Sequence, residues 1–594
     1  MLGERRKMYF RVWLITYIIY LPILARLAGC DSLYNIYTYI QTDVKYAPFA
    51  IDFSDRTLRV CIIGSLVYWL LCACVLLNMK NYRYDEEYGS TKLGSINKLK
   101  RIYRCRKSID GLKAKLCNLC FTEKVMMGLD VFRHNRNLNT LIIGGAGTWK
   151  TRGFILPNLL RANCSYVITD PKGEILAKIG KFLKIMGYKI RVLDLKTHSK
   201  SHCYNPFVYF RGDDDILKFV NQTWEAMSDK TAAKGEQIWD DQAKNMFISL
   251  LMYLYHYAPA DEQNFDMLMK LIHEIKASEG AKQEVTAIDI LFERIDHDSA
   301  AYGYYKGWSA AKGRTLASIV ATLTAKLTVF NLDSLKKLTM CDDLNLTELA
   351  TEKVALFCVI PDNDTSYNFI AGTLYSQLIQ QLYEYADTVC HGPLPRHVRF
   401  LMDEFANVAL PDDYEKILST SRSRNISFAI VLQNKNQIEA LYEKVYKSLI
   451  GNCDEILFLG SSEYDTCKYF SDLIGNETVY VKTYNTTHGS NASMTKNETK
   501  VGRLLFTPDE LRKLDNKKAV LLIRGEDPVI DYKINLKRCK NYKYLADGKR
   551  FKDNMYEWGS TERSIGSMSI IPSSYSGKIT PLPQTDAVFI DYIV

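Results

Sequence analysis

Residues 137–151 read NLNTLIIGGAGTWKT. The apolar run Leu141-Ile142-Ile143 has the length and side chains of a buried strand. It feeds a glycine-rich turn that ends in Lys150-Thr151, and a helix-like segment follows. Strand, glycine-rich loop and helix together aim backbone N–H groups and a helix N-terminus at a polyphosphate. On this reading Gly144, Gly145, Ala146, Gly147, Thr148 and Trp149 form the cradle. Lys150 reaches the terminal phosphates and the Thr151 hydroxyl ligates Mg²⁺, so ATP and Mg²⁺ are the implied cofactors. One position departs from the pattern G-x-x-x-x-G-K-[ST]. Aligned on Gly144, it puts Trp149 where the second glycine belongs, and an indole there competes with the phosphates for space. Taken alone, the loop fits a strand-turn-helix without nucleotide equally well.

Further along, residues 398–404 read VRFLMDE. A mostly apolar strand that ends in paired carboxylates has the form of a Walker B strand. Asp403 would hold Mg²⁺ through water, and Glu404 would polarise an attacking water. A third strand, SFAIVL at 427–432, delivers Gln433 to its carboxyl end. That amide suits a γ-phosphate sensor or a water-orienting group, or simply a satisfied strand end. Three strands that each end in chemistry are what an open parallel α/β sheet presents.

With these residues in hand, the chain resembles the coupling proteins of type IV secretion and conjugation, the TraG/TraD-like ATPases. The likeness is carried by Gly89-Ser90-Thr91, by Thr169-Asp170-Pro171-Lys172-Gly173-Glu174, by Tyr204-Asn205-Pro206 and by Met402-Asp403-Glu404-Phe405-Ala406-Asn407. The DPKGE and DEFAN segments are the specific ones, and Trp149 is the departure. The resemblance spans about Gly89 to Asp531 together with an N-terminal anchor. It implies a RecA-like P-loop NTPase core with an inserted all-α domain, assembled as a homo-hexamer under the membrane. It also implies single-stranded DNA with its relaxase, or a protein, as substrate, and the channel components as partners. Of Arg422 and Arg424 in STSRSRNIS, the resemblance favours Arg422 as an arginine finger; a solvated basic loop is the plain alternative. An FtsK- or HerA-type DNA pump shares the core and the anchor. A non-hydrolysing substrate receptor is the reading that Trp149 suggests.

Periodicity supports the insertion independently. From about Asp213 to Leu338 the apolar residues recur at helical spacing, as in QIWDDQAKNMFISLLMYLYHY, and strand signals are few. Upstream, two apolar segments at about Tyr9–Ala28 and Leu58–Met79 each approach the roughly 20 residues that span a bilayer. Basic residues precede the first and follow the second, while the loop between them carries Asp31, Asp43, Asp52 and Asp55. The positive-inside rule then predicts a two-helix anchor in the bacterial inner membrane, with both termini and the body cytoplasmic. The expected organisation is an anchor over 1–80, nucleotide-binding segments over 81–212 and 341–545, the all-α domain over 213–340 and a flexible tail over 546–594.

The bulk composition adds little. A net charge of +10, from 77 basic and 67 acidic residues, fits anionic partners and a mixed solvated surface equally. Fifteen cysteines lack the even spacing of a disulfide scaffold, and Cys117-Asn-Leu-Cys120 has no second pair at zinc spacing. Residues 536–552 interleave lysine and arginine with Tyr542, Tyr544 and Phe551. That pattern suits single-stranded nucleic acid or a solvated face.

Overall fold

In the computed structural model the described residues are 2–28, 30, 35–47, 54–78, 85–107, 117–227, 237–280, 287–361, 364, 366–408, 414–443, 445–487 and 493–559. The part of the expected tail beyond Gly559 therefore lies outside them. Thirteen strands are assigned among the described residues. They are β1 (Asn118–Cys120), β2 (Met126–Gly128), β3 (Thr140–Ile143), β4 (Ser165–Thr169), β5 (Lys189–Asp194), β6 (Val354–Val359), β7 (Val398–Met402), β8 (Ile426–Leu432), β9 (Glu455–Phe458), β10 (Asn476–Thr487), β11 (Ser493–Leu504), β12 (Lys518–Ile523) and β13 (Val529–Tyr532). The chain folds as two compact units, Met1–Ser90 with Glu477–Arg503, and Thr91–Asn476 with Leu504–Val594.

The larger unit is built on a nine-stranded sheet ordered β13-β12-β9-β3-β8-β7-β4-β6-β5. Strands β9 to β5 run parallel, and β12 is antiparallel to both β9 and β13. The central strands are buried along their whole length because helices cover both faces, so they read as continuous apolar runs. The register pairs Ile143 with Leu432 and, one strand on, Met402 with Ile430. One strand, β8, thus separates the strand that feeds the glycine loop from the strand that ends in Asp403-Glu404.

Between β5 and β6 the described chain is helical, with helices at Asp213–Met227, Gln237–Tyr257, Phe265–Gly280, Ala287–Glu293, Ala300–Ser309, Arg314–Leu327 and Asp333–Thr339. This is the expected all-α insertion. The apolar face of Gln237–Tyr257, with Ala243, Met246, Phe247, Leu250, Leu251 and Leu254 at 0% exposure, is its core. Where the chain leaves and re-enters the sheet, Asp343 N–H donates to Cys203 O at 2.9 Å and Tyr204 N–H to Leu338 O at 2.8 Å.

Among the described residues the smaller unit holds two long helices, Leu2–Leu27 and Asp55–Asn78, and short helical stretches between them at Ile36–Tyr39 and Ile40–Val44. Within them Met8–Leu27 and Asp55–Leu77 are long and apolar enough to cross a membrane. They are linked by hydroxyls: Tyr17 donates to Ser65 Oγ at 2.8 Å and Tyr68 to Trp13 O at 2.8 Å. Gly64 permits the close approach, since a Cβ there would meet Leu24 Cδ2 at 2.1 Å. The β10–β11 hairpin belongs to the same unit.

Candidate nucleotide-binding site

At the end of β3 the chain turns into the glycine loop, and the sheet holds its base. Gly144 N–H donates to Leu432 O at 3.1 Å and Gly145 N–H to Gly460 O at 3.0 Å. Gly144 admits no side chain, because a Cβ would lie 2.4 Å from Thr148 Oγ1 and 2.9 Å from Leu459 Cβ. Gly147 has a φ of +74° with open space around it, a conformation that costs glycine nothing. Trp149 has a φ of +70°, a left-handed conformation that favours glycine and here carries an indole. For an L-residue this costs about 1–2 kcal/mol. The indole is 43% exposed, while the interior of the loop receives Lys150, whose Nζ donates to Gly144 O at 2.8 Å and Gly145 O at 3.4 Å. The expected helix begins at Thr151 as a wide π-type turn and continues through Leu156–Leu159. Pro157 has no N–H to return to Gly153 O, which explains the loosened first turn.

The carboxylates arrive from β7. Thr151 Oγ1 donates to Asp403 Oδ2 at 2.7 Å, although 252 positions separate them. Asp403 is buried, and Glu404 follows it with a φ of +59°, a strained backbone of the kind that concentrates at working sites. From β8, Gln433 Nε2 donates to Glu404 Oε1 at 2.9 Å and Oε2 at 3.2 Å. Gln433 N–H is itself held by Gln437 Oε1 at 2.7 Å. Burial lowers the Lys150 pKa, and the charges of Glu404 and Asp403 oppose that shift. The structure therefore brings Lys150, Thr151, Asp403, Glu404 and Gln433 together at the carboxyl edge of the sheet. An ammonium whose acceptors are loop carbonyls, a hydroxyl–carboxylate pair and a glycine cradle form a donor set that fits a magnesium polyphosphate.

Arg422 is not part of this cluster. It precedes β8, whose seven residues span about 20 Å, so it lies at the opposite edge from Gln433. There its Nη2 donates to Asn135 Oδ1 at 2.9 Å and Val131 O at 3.3 Å. Arg424 is held by Asp387 in a two-pronged pair at 2.9 and 2.7 Å.

Further features surround the site. Asp170, from the DPKGE segment, is buried and accepts from Leu176 N–H at 2.8 Å. Burial pushes its carboxyl up to about 6, the Leu176 bond opposes this, and the Asp403 charge adds to it. Lys533 reaches the glycine loop from β13. The segment 536–558 packs its aromatics on the helix Glu174–Ile185. Tyr544 stacks on Phe182 at 6.1 Å, Tyr556 lies where a Cβ on Gly180 would come within 2.6 Å, and Trp558 covers Gly173. Arg152, one residue past Thr151, pairs with Asp547 at 3.0 and 2.8 Å. Packing thus accounts for Tyr544, Tyr556 and Trp558, while Phe551 is 40% exposed. Cys117 and Cys120 are buried on and beside β1, and Arg161 donates to the Cys120 sulfur at 3.0 and 2.8 Å.

A profile described as "Type IV secretory system Conjugative DNA transfer" matches residues 91–564, well over half of the chain. The chain belongs to this conjugative DNA transfer family. It is a type IV secretion coupling protein by this family membership. Among its relatives, Protein VirD4 of Rhizobium radiobacter is 22% identical over 508 residues, 84% of this chain and 70% of that protein. Conjugal transfer protein TraG of Escherichia coli is 21% identical over 421 residues, 65% of this chain and 63% of its own length. The solved bacterial conjugative coupling protein TrwBdeltaN70, in an unbound monoclinic form, superposes with a TM-score of 0.50 at 15% identity. That match covers 76% of this chain and 94% of TrwBdeltaN70, and it shows a shared fold. This member of the conjugative DNA transfer family keeps the RecA-type α/β sheet expected from its motifs.

Proposed function

We propose that this coupling protein is a membrane-anchored ATPase that recruits relaxase-bound single-stranded DNA, or a protein, and drives it into a type IV secretion channel. The supporting observation is the meeting of Lys150, Thr151, Asp403, Glu404 and Gln433 at one strand edge. On this reading Lys150 exchanges its loop carbonyls for phosphate oxygens, and Gly144 to Trp149 supply the cradle. Thr151 and Asp403 hold Mg²⁺, which neutralises phosphate charge when bound. Glu404, oriented by Gln433, accepts the proton of the attacking water. Arg422, at the far edge of its own sheet, acts on a neighbouring copy in a homo-hexamer. The two apolar helices anchor the protein in the bacterial inner membrane with the catalytic body cytoplasmic, in accord with the basic flanks.

Turnover of ATP by the detergent-purified full chain, together with mating frequency, tests the reading. Lys150→Ala should abolish both, because an alanine cannot reach the phosphates. Undiminished hydrolysis in that variant would sink the assignment. A second reading, a substrate receptor that does not hydrolyse ATP, draws on the indole at the mouth of the loop with its left-handed backbone. Measurable turnover by the natural chain excludes it.

A further inference from the structure

Lys533 follows β13 and is 3% exposed. Its ammonium donates to Leu459 O at 2.7 Å, Thr148 O at 2.9 Å and Asn516 Oδ1 at 3.0 Å. Three protons meet three oxygens, and none of those oxygens is charged. The grip continues through Asn516, whose Nδ2 donates to Gly147 O at 3.4 Å. The backbone N–H of Lys533 donates to Lys517 O at 2.8 Å. Leu459 N–H bonds Ile143 O at 2.8 Å, so that residue is tied to the strand feeding the loop. One side chain therefore clasps β13, the turn at Asn516, the end of β9 and the glycine loop.

A solely structural clasp needs no charge. A buried ammonium among neutral carbonyls is costly, since water is not replaced by an anion. Burial pushes Lys533 down to about 8, and the charge of Asp515, beside Asn516, only partly restores it. Lys150 donates to the same loop at Gly144 O, but Glu404 and Asp403 serve as its counter-charges. An anion bound in the loop would supply the counter-charge that the neutral acceptors of Lys533 do not.

We infer that Lys533 is a positioning residue of the nucleotide site, bracing the loop at Thr148 and lending a buried positive charge to the bound phosphates. The inference rests on the nucleotide-binding reading above. It assigns Lys533 no contact with the nucleotide, because its protons are already committed to the loop and its supports.

Equilibrium titration of the full chain with ATP and Mg²⁺, for the natural protein, Lys533→Met and Lys533→Arg, tests it. Lys533→Met should weaken ATP affinity about tenfold or more, the scale of one charge-assisted hydrogen bond, and raise KM more than it lowers kcat. Lys533→Arg, which keeps a charge and donors, should recover much of the loss. The natural protein should also lose affinity as pH rises through about 8, where the ammonium loses its proton, and Lys533→Met should lack that step. Equal affinity of natural and Met proteins would overturn the inference. A weakened Met variant that keeps the full pH step would overturn it too, because the brace would then be steric only. If the natural protein binds no ATP at all, the nucleotide reading itself falls, a result distinct from either.

Discussion

The two edges of the central sheet use similar side chains to opposite ends. At the amino edge Arg399 is 1% exposed. Its guanidinium donates to Leu138 O, to Ser427 Oγ at 2.9 Å and to Thr140 Oγ1 at 3.0 Å. His397 beside it meets Asn425 Oδ1 and Ser427 Oγ, both at 2.7 Å. Asn139 bonds Leu418 O at 2.8 Å and accepts from Phe428 N–H at 3.0 Å. These groups bond mainly to protein partners, with only Arg399 Nε among the atoms of this cluster left without one, and burial holds His397 neutral with a pKa near 4. At the carboxyl edge Lys150, Glu404 and Gln433 are only half-buried. Lys150 rests on loop carbonyls, and Glu404 keeps a strained backbone. Buried polar groups turned inward onto protein partners stabilise a fold; those held by each other at an open strand edge remain available for a ligand.

Three measurements would break or sharpen that contrast. The largest effect belongs to the open edge. Glu404→Gln should reduce ATP turnover by about 10²- to 10⁴-fold, the range of a general base, with nucleotide affinity and melting temperature little changed. Retention of turnover would remove Glu404 from the chemistry. The closed edge should respond instead through stability. His397 has its folded pKa depressed to about 4 from an ordinary 6.5. Its contribution is fully present above pH 6.5 and is lost as pH falls through about 4, roughly 3 kcal/mol in all. Chemical denaturation across that window should show the slope in the natural chain and lose most of it in His397→Gln. The smallest effect concerns the loop. Trp149→Gly should stabilise the fold by about 1 kcal/mol by relieving the left-handed backbone, and tighten ATP binding. Equal affinity of both forms would show that the exposed indole leaves the cradle clear.

Much of the working edge was legible in residues 137–151, 398–404 and 427–433. A short apolar run that stops at a glycine loop or a carboxylate can be read locally. The all-α insertion was legible too, because its helical period is carried by its own residues. Lys533 and the packing of the aromatics of 536–558 were not, and Asp170 was legible only through the resemblance of its DPKGE segment. Lys533 lies 385 positions from Thr148, and no spacing rule links a lysine after an edge strand to a phosphate loop. The basic–aromatic stretch of 536–552 suited single-stranded nucleic acid or a solvated face, and composition alone does not reveal that Tyr544 stacks on Phe182 of the helix Glu174–Ile185. Arg422 was singled out by resemblance, and only the strand order shows that it stands a full strand length from its own chain's loop.

By itself the sequence determined which strands end in the candidate nucleotide-site residues, that helices interrupt the sheet, and that two segments suit a bilayer. These are properties of local pattern, where burial of apolar side chains dictates the period. The tertiary structure alone decided that β8 separates the lysine strand from the carboxylate strand, that Thr151 meets Asp403 at 2.7 Å, and that a buried lysine from β13 stands behind the loop. Those facts follow from how parallel strands are ordered across a sheet, and that order is set by the packing of distant segments.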